Sequence, residues 1–263
     1  MNLDLSGKRA LVCGSTQGIG RAAAVELALL GAEVVLLARD KVKLDEVCRA
    51  LPRPKGQRHA FLAADFADLG QVEAAVDGIA SGAEPACQIL VNNTGGPPAG
   101  AIAEATPSQF EAAFRAHVLA AQILARALTP GMKAAKFGRI INVISTSVKA
   151  PIPGLGVSNT IRGAMASWAK TLAGELGPLG ITVNNVLPGF TATERLASLI
   201  KGRAAKGNTP EEKVAQEMRG TIPLGRFATP EEVGGAIAFL ASPAGGYISG
   251  INLPVDGGRL PTL

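Results

Sequence analysis

The sequence predicts an α/β fold: one domain built on a doubly wound sheet of seven parallel strands, with helices on both faces. Three observations carry that reading. Short apolar bursts alternate along the whole chain with stretches of helical period. Most of the bursts are bounded by Gly, Pro or Asn, which turn the chain out of a strand. No internal repeat, low-complexity tract or linker divides the 263 residues, and 47% hydrophobic against 18% charged residues supplies one core with no compositional sign of disorder.

In chain order, the strands are read at 9–12, 33–38, 60–63, 88–91, 139–144, 182–186 and 251–255. Between them, helical spacing covers 18–30, 41–51, 69–80, 108–129, 156–177 and 230–241. Right-handed crossovers then place a ligand crevice at the carboxyl ends of the strands. The long irregular segment 190–225 follows the sixth strand and carries helical patches at 194–205 and 210–219. Its mix of Arg195, Lys201, Arg203, Lys206, Lys213 and Arg219 with Glu194, Glu211, Glu212 and Glu217 reads most simply as a solvated helical face. Its position above the crevice makes a substrate lid the sharper expectation.

Charge and cysteine content exclude several function classes. The net charge of +5 and pI of about 9.3 come from scattered Lys and Arg, without basic runs or interleaved aromatics, so nucleic acid is not an expected partner. No apolar run is long enough to span a bilayer, and residues 1–11 are too short and too polar at Asp4 and Lys8 for a secretory signal; a cytoplasmic protein without membrane association is expected. Cys13, Cys48 and Cys87 are odd in number, far apart and accompanied by only two histidines, which predicts reduced, packed thiols and no metal.

The first strand runs through Gly14-Ser15-Thr16-Gln17-Gly18-Ile19-Gly20 directly into a helix. Glycines there let the backbone turn sharply and approach a pyrophosphate, whose charge is met by free N–H groups and the positive helix end. This G-x-x-x-G-I-G spacing resembles the short-chain dehydrogenase/reductase family, whose members have a Rossmann fold. Three further motifs extend the resemblance: Asn92-Asn93-Thr94-Gly95, Pro188-Gly189-Phe190-Thr191-Ala192-Thr193, and a tail from Pro230-Glu231-Glu232-Val233 through Tyr247-Ile248-Ser249-Gly250 to Val255-Asp256-Gly257-Gly258. The similarity is nearest to 3-oxoacyl-[acyl carrier protein] reductases.

The resemblance implies a dinucleotide site made by Gly14, Ser15, Gln17, Gly18, Ile19 and Gly20, with Asp65 and Phe66 at the adenine. It also implies that Asn92, Thr94 and Gly95 steady the sheet beside the cofactor, that Pro188, Gly189 and Thr191 border it, and that Thr193 holds the nicotinamide amide. Cys13 stands where the family has threonine, so a hydrogen bond toward the Asn92–Gly95 segment is expected to be lost or weakened. At the end of the second strand, Ala38 occupies the position expected for a ribose-binding acid and Arg39 follows it. A guanidinium there favours a 2′-phosphate, hence NADP(H); Asp40 as a ribose ligand and plain solvent exposure of Arg39 are the competing readings.

The family's catalytic serine is matched by Ser145. At the family's intervals, its tyrosine, lysine and asparagine are replaced by Ser158, Arg162 and His117, and the chain's one tyrosine is Tyr247 in the tail. A serine hydroxyl is a poorer and shorter acid than a phenol. Arg162 keeps the charge and could still hold the nicotinamide ribose, without a lysine's shape or proton exchange. His117 is the one residue near this site able to exchange protons near neutral pH, and Lys149 is placed at the substrate mouth. Two readings stay open. One is an NADP(H)-dependent reductase of a carbonyl substrate, such as a 3-oxoacyl thioester, with its proton from His117, Lys149 or a water held by Ser158 and Arg162. The other is a nucleotide-binding sensor or scaffold whose reaction has decayed, with His117 filling the vacated volume and bonded to Ser158. The resemblance further implies a homotetramer pairing helices 108–129 and 156–177 across two-fold axes.

Overall fold

A computed structural model describes residues 1–262. Strands β1 (Arg9–Cys13), β2 (Glu33–Ala38), β3 (Ala60–Ala63), β4 (Ile89–Asn92), β5 (Gly138–Val143), β6 (Ile181–Pro188) and β7 (Asn252–Val255) pair in parallel in the order β3-β2-β1-β4-β5-β6-β7. The strand order reverses between β1 and β4, so the loops leaving these two strands diverge and open a crevice at their carboxyl ends.

The period-two geometry of each strand divides its apolar residues between two cores. Ala10 and Val12 of β1, Val34 and Leu36 of β2 and Ile89 and Val91 of β4 face helices α1 (Gly18–Leu29), α2 (Lys41–Ala50) and α9 (Pro230–Ala241). Leu11, Val35, Leu37 and Leu90 point the other way, toward α3 (Leu69–Ser81), α5 (Ala120–Ala134) and α6 (Gly156–Leu176). Both faces being dry explains why these strands read as unbroken apolar bursts and not as alternating ones. Helices α7 (Glu194–Gly207) and α8 (Glu211–Gly220) lie outside this arrangement and close a small core of their own from Leu196, Ala204, Val214 and Met218, with Phe190 and Phe227 packed against it. Among the described residues no helix is long and apolar enough to cross a membrane.

The stretch predicted as one helix over 108–129 departs from that expectation at both ends and in its middle. It comprises α4 (Pro107–Phe114) and α5, joined by a π-helical turn at Arg115–Leu119. α5 also runs on through Pro130 to Ala134, because Leu124, Ala125, Leu128 and Met132 bury one continuous face that outweighs one missing backbone donor. The π turn widens the helix where His117 points inward, a distortion often found at functional sites.

A chain of asparagine amides crosses the sheet near the crevice. Asn92 Nδ2 donates to Asn142 Oδ1 at 2.8 Å, Asn142 Nδ2 to Asn185 Oδ1 at 2.9 Å, and Asn185 Nδ2 to Asn252 Oδ1 at 2.9 Å. These residues are in register across β4, β5, β6 and β7, and an amide can extend such a chain because it carries both a donor and an acceptor. Asn142→Ala would orphan the Asn92 donor and the Asn185 acceptor together. The expected loss is about 2–4 kcal/mol of stability, read as a lower denaturant midpoint at unchanged slope.

Candidate active site

The glycine loop is shaped by close contact with the end of β4. Gly14 has φ +56, and a Cβ on it would lie 2.6 Å from the Asn93 carbonyl oxygen. A Cβ on Gly20 would lie 2.2 Å from the Gly14 carbonyl oxygen. Asn93 Nδ2 donates to the carbonyls of Cys13 and Gly14, each at 3.3 Å. The Cys13 thiol also meets the Asn93 backbone N–H, so the link expected to be lost or weakened at this position is made by a weak sulfur acceptor. Burial pushes the Cys13 thiol up to about 12, keeping it a neutral packing group.

Loop and helix leave backbone donors for a ligand. Gln17 precedes α1 without a side-chain cap, whereas α2, α3 and α9 are capped by Asp40, Asp68 and Thr229. Across the crevice, Thr193 Cγ2 lies 3.2 Å from where a Cβ on Gly18 would be. The Pro188–Thr193 segment thus meets the glycine loop, although β1 and β6 are far apart in sequence. Thr193 also caps α7, accepting from Leu196 N at 3.4 Å. Asp65 lies beyond β3, where its Oδ1 accepts from Ala67 N, and Phe66 reaches the cavity described next.

At the end of β2, Asp40 Oδ1 accepts from the backbone N–H groups of Val42 and Lys43, at 3.1 Å each. One oxygen of its carboxylate is engaged at the start of α2, while Arg39 is exposed and in no ion pair among the described residues. Arg39 stands apart from the inner group of site residues, at the far end of the crevice.

That inner group is Thr94, His117 and Arg162, which line one small cavity of about 10 Å³ with Phe66, Asn92 and Met165, room for a single water. Thr94 Oγ1 and His117 Nδ1 are 2.6 Å apart, so the partner of His117 is Thr94 and not Ser158 as expected. Burial, helped by the Arg162 charge and opposed by a backbone hydrogen bond with Gly95, pushes His117 down to about 3. Near neutral pH this imidazole is therefore uncharged. Arg162 is buried, donates from Nη1 to the Val143 carbonyl at 3.0 Å, and is pushed down to about 10 by burial and then by the Arg195 charge. Ser145 lies two residues past the end of β5, and its Oγ accepts from Ser147 N at 3.0 Å. Ser158 is buried in the first turn of α6, one turn before Arg162. Asn93 and Arg195 stand at the site without having been predicted there. Asn93 was legible as part of the Asn-Asn motif, and Arg195 as the first base after Thr193.

Residues 14–259 match the family model described as enoyl-(acyl carrier protein) reductase, and a structure described as a short chain dehydrogenase/reductase family protein superposes with a TM-score of 0.81 at 32% identity, over 97% of this chain and 98% of its own. The chain is a short-chain dehydrogenase/reductase. It is 34% identical over 267 residues to L-xylulose reductase of Mus musculus, covering 100% of each. L-sorbose reductase of Gluconobacter frateurii, solved with NADPH and L-sorbose, superposes with a TM-score of 0.93 at 35% identity over 100% of both chains. A 3-oxoacyl (acyl-carrier-protein) reductase of Agrobacterium tumefaciens with NADP bound gives 0.86 at 26% identity, covering 97% of this chain and 95% of that one.

In this short-chain dehydrogenase/reductase the buried imidazole makes stability sensitive to acid. The unfolded histidine takes a proton below its ordinary value of 6.5, whereas the folded one resists until about 3. The unfolded state therefore binds more protons across that window, and stability falls as pH drops through it, by at most about 1.4 kcal/mol per pH unit. Chemical unfolding of the parent and of His117→Asn between those limits should show the shallower acid slope in the variant.

Proposed function

We propose that the protein is an NADP(H)-dependent oxidoreductase acting on a carbonyl/alcohol substrate. The observation that carries the cofactor preference is the commitment of Asp40 to the α2 cap. It occupies one carboxylate oxygen of the acid nearest a ribose 2′-hydroxyl, while Arg39, exposed and in no ion pair among the described residues, is available to a 2′-phosphate. The loop fits a dinucleotide, since the space a Cβ would fill at Gly14 and Gly20 is closed and the first turn of α1 has no side-chain cap. Bound NADPH would supply the hydride. The NADPH and NADP complexes of the sorbose and 3-oxoacyl reductases support the same cofactor here. Small ketoses and 3-oxoacyl thioesters are the substrate classes these relatives suggest.

In this reading Ser145 orients the substrate carbonyl: its oxygen is engaged by Ser147 N, and its hydrogen donates to the substrate. Ser158 and Arg162 occupy the places of the family's tyrosine and lysine. With no phenol at the site, the proton comes from solvent through the water-sized cavity at Thr94 and His117. A neutral imidazole can accept at one nitrogen and donate from the other, relaying a proton without storing charge. Segment 190–225 acts as the lid. Tyr247, the one tyrosine, is fully exposed, and this favours a second reading, a catalytically silent nucleotide-binding protein.

Titration by nicotinamide fluorescence should find NADPH bound more tightly than NADH, and Arg39→Asp should weaken NADPH binding by about 10- to 100-fold, the worth of a charge-assisted hydrogen bond. NADPH oxidation by the unmutated protein against ketoses, small ketones and 3-oxoacyl thioesters decides between the two readings, because a protein that binds NADPH and reduces none of them is the silent one. Where turnover is found, kcat should show no break near pH 6.5, since His117 is neutral on both sides of it. His117→Phe should lower kcat by about 10²-fold or more, the ordinary worth of a positioned proton-transfer group, with His117→Asn retaining more because an amide both donates and accepts.

A further inference from the structure

Two guanidinium groups meet over Gly96 at the crevice. A Cβ on Gly96 would lie 3.4 Å from Arg195 Nη2, 3.6 Å from Arg195 Cζ and 3.8 Å from Arg162 Nη2. Arg162 comes from α6 beneath and Arg195 from the first turn of α7 above, where Nη2 is tethered to the Pro97 carbonyl at 2.7 Å. Arg162 spends Nη1 on Val143, two residues before Ser145, and its Nη2 faces the gap. Neither arginine is in an ion pair among the described residues. Each charge raises the cost of the other, which is part of why Arg162 is held down to about 10. A buried cation facing a like charge is unfavourable in isolation and becomes favourable when an anion enters between them.

We infer that Arg162 and Arg195 form the anion clamp of the substrate site, and that the natural substrate is an oxo acid or hydroxy acid whose carboxylate sits over Gly96. This rests on the oxidoreductase reading and narrows its substrate class. The planar forks of two arginines present paired N–H donors that match the two oxygens of a carboxylate. Gly96 contributes by what it lacks: a methyl there meets both guanidiniums at ordinary contact distance and takes the place of the anion. Its φ lies outside the left-handed region, so Gly96→Ala introduces no backbone strain. Arg195 belongs to α7 of the proposed lid, so an anionic substrate would draw that segment and α6 together around itself.

Calorimetry tests the clamp independently of turnover. Pyruvate, acetoacetate and levulinate are titrated against their methyl esters, with glyceraldehyde 3-phosphate as the phosphate arm, into protein with and without NADP⁺. At least one acid should bind about 10- to 100-fold more tightly than its ester, and Arg195→Ala and Gly96→Ala should each bring that ratio toward one. Arg195→Lys should recover part of it. Equal binding of acids and esters by the unmutated protein overturns the clamp. So does a preference for the phosphate arm alone, or an Arg195→Ala variant that loses NADPH affinity by the same factor as acid affinity, which would assign Arg195 to the cofactor. The underlying reading fails separately, by absence of NADPH binding whatever the acids do.

Discussion

Asn93 holds the crevice together at its narrowest point. Its amide donates to two successive carbonyls, Cys13 and Gly14, at the place where the chain leaves β1 and turns toward α1. A third residue, Gly20, packs onto the Gly14 carbonyl so closely that no side chain fits. The direction in which α1 leaves the sheet, and hence where its free N–H groups point, follows from this three-way contact. Any atom added at Gly14 or Gly20 would push α1 off the strand ends and separate the two halves of the site.

The same economy appears in the sheet beneath. Asn92 and Asn142 near the carboxyl ends of β4 and β5, Asn185 in the middle of β6 and Asn252 at the start of β7 place polar amides in one row across four neighbouring strands, where apolar residues would otherwise continue the core. Buried amides are tolerated because each satisfies the next, and a satisfied chain of this kind fixes strand register in a way that interchangeable Val, Leu and Ile contacts do not. The register of β4, β5 and β6 is thereby fixed, and Asn93, Ser145 and the Pro188–Thr193 segment follow their carboxyl ends.

Electrostatics divides that end of the sheet into two chemistries. Around Thr94 and His117 the low-dielectric surroundings and a neighbouring cation keep the imidazole neutral, so it works as a hydrogen-bonding group. A few residues away, buried Arg162 keeps its charge despite burial and the neighbouring Arg195 charge, because a guanidinium gives up its proton far less readily than an imidazolium. The same low-dielectric pocket thus keeps the histidine neutral and leaves Arg162 charged.

Much of the architecture was legible before any coordinates. Apolar runs on strands buried from both faces, turn residues at their ends and G-x-x-x-G-I-G between β1 and α1 determine the parallel sheet, the crevice and the nucleotide loop, because each is a local property of consecutive residues. The same holds for the presence of Ser145, Ser158, Arg162 and His117 at family positions. What the sequence left open depends on atoms from different elements meeting in space. That His117 turns to Thr94 and not to Ser158 depends on a π turn, set by how α4 and α5 pack and not by their period. That the Asn93 amide reaches the carbonyls of Cys13 and Gly14, and that Arg195 reaches Gly96 from a segment read as solvated, are likewise questions of distance between residues remote in sequence. Composition and spacing determine which groups are available; only the packed structure decides which of them share a dielectric, a hydrogen bond or a charge.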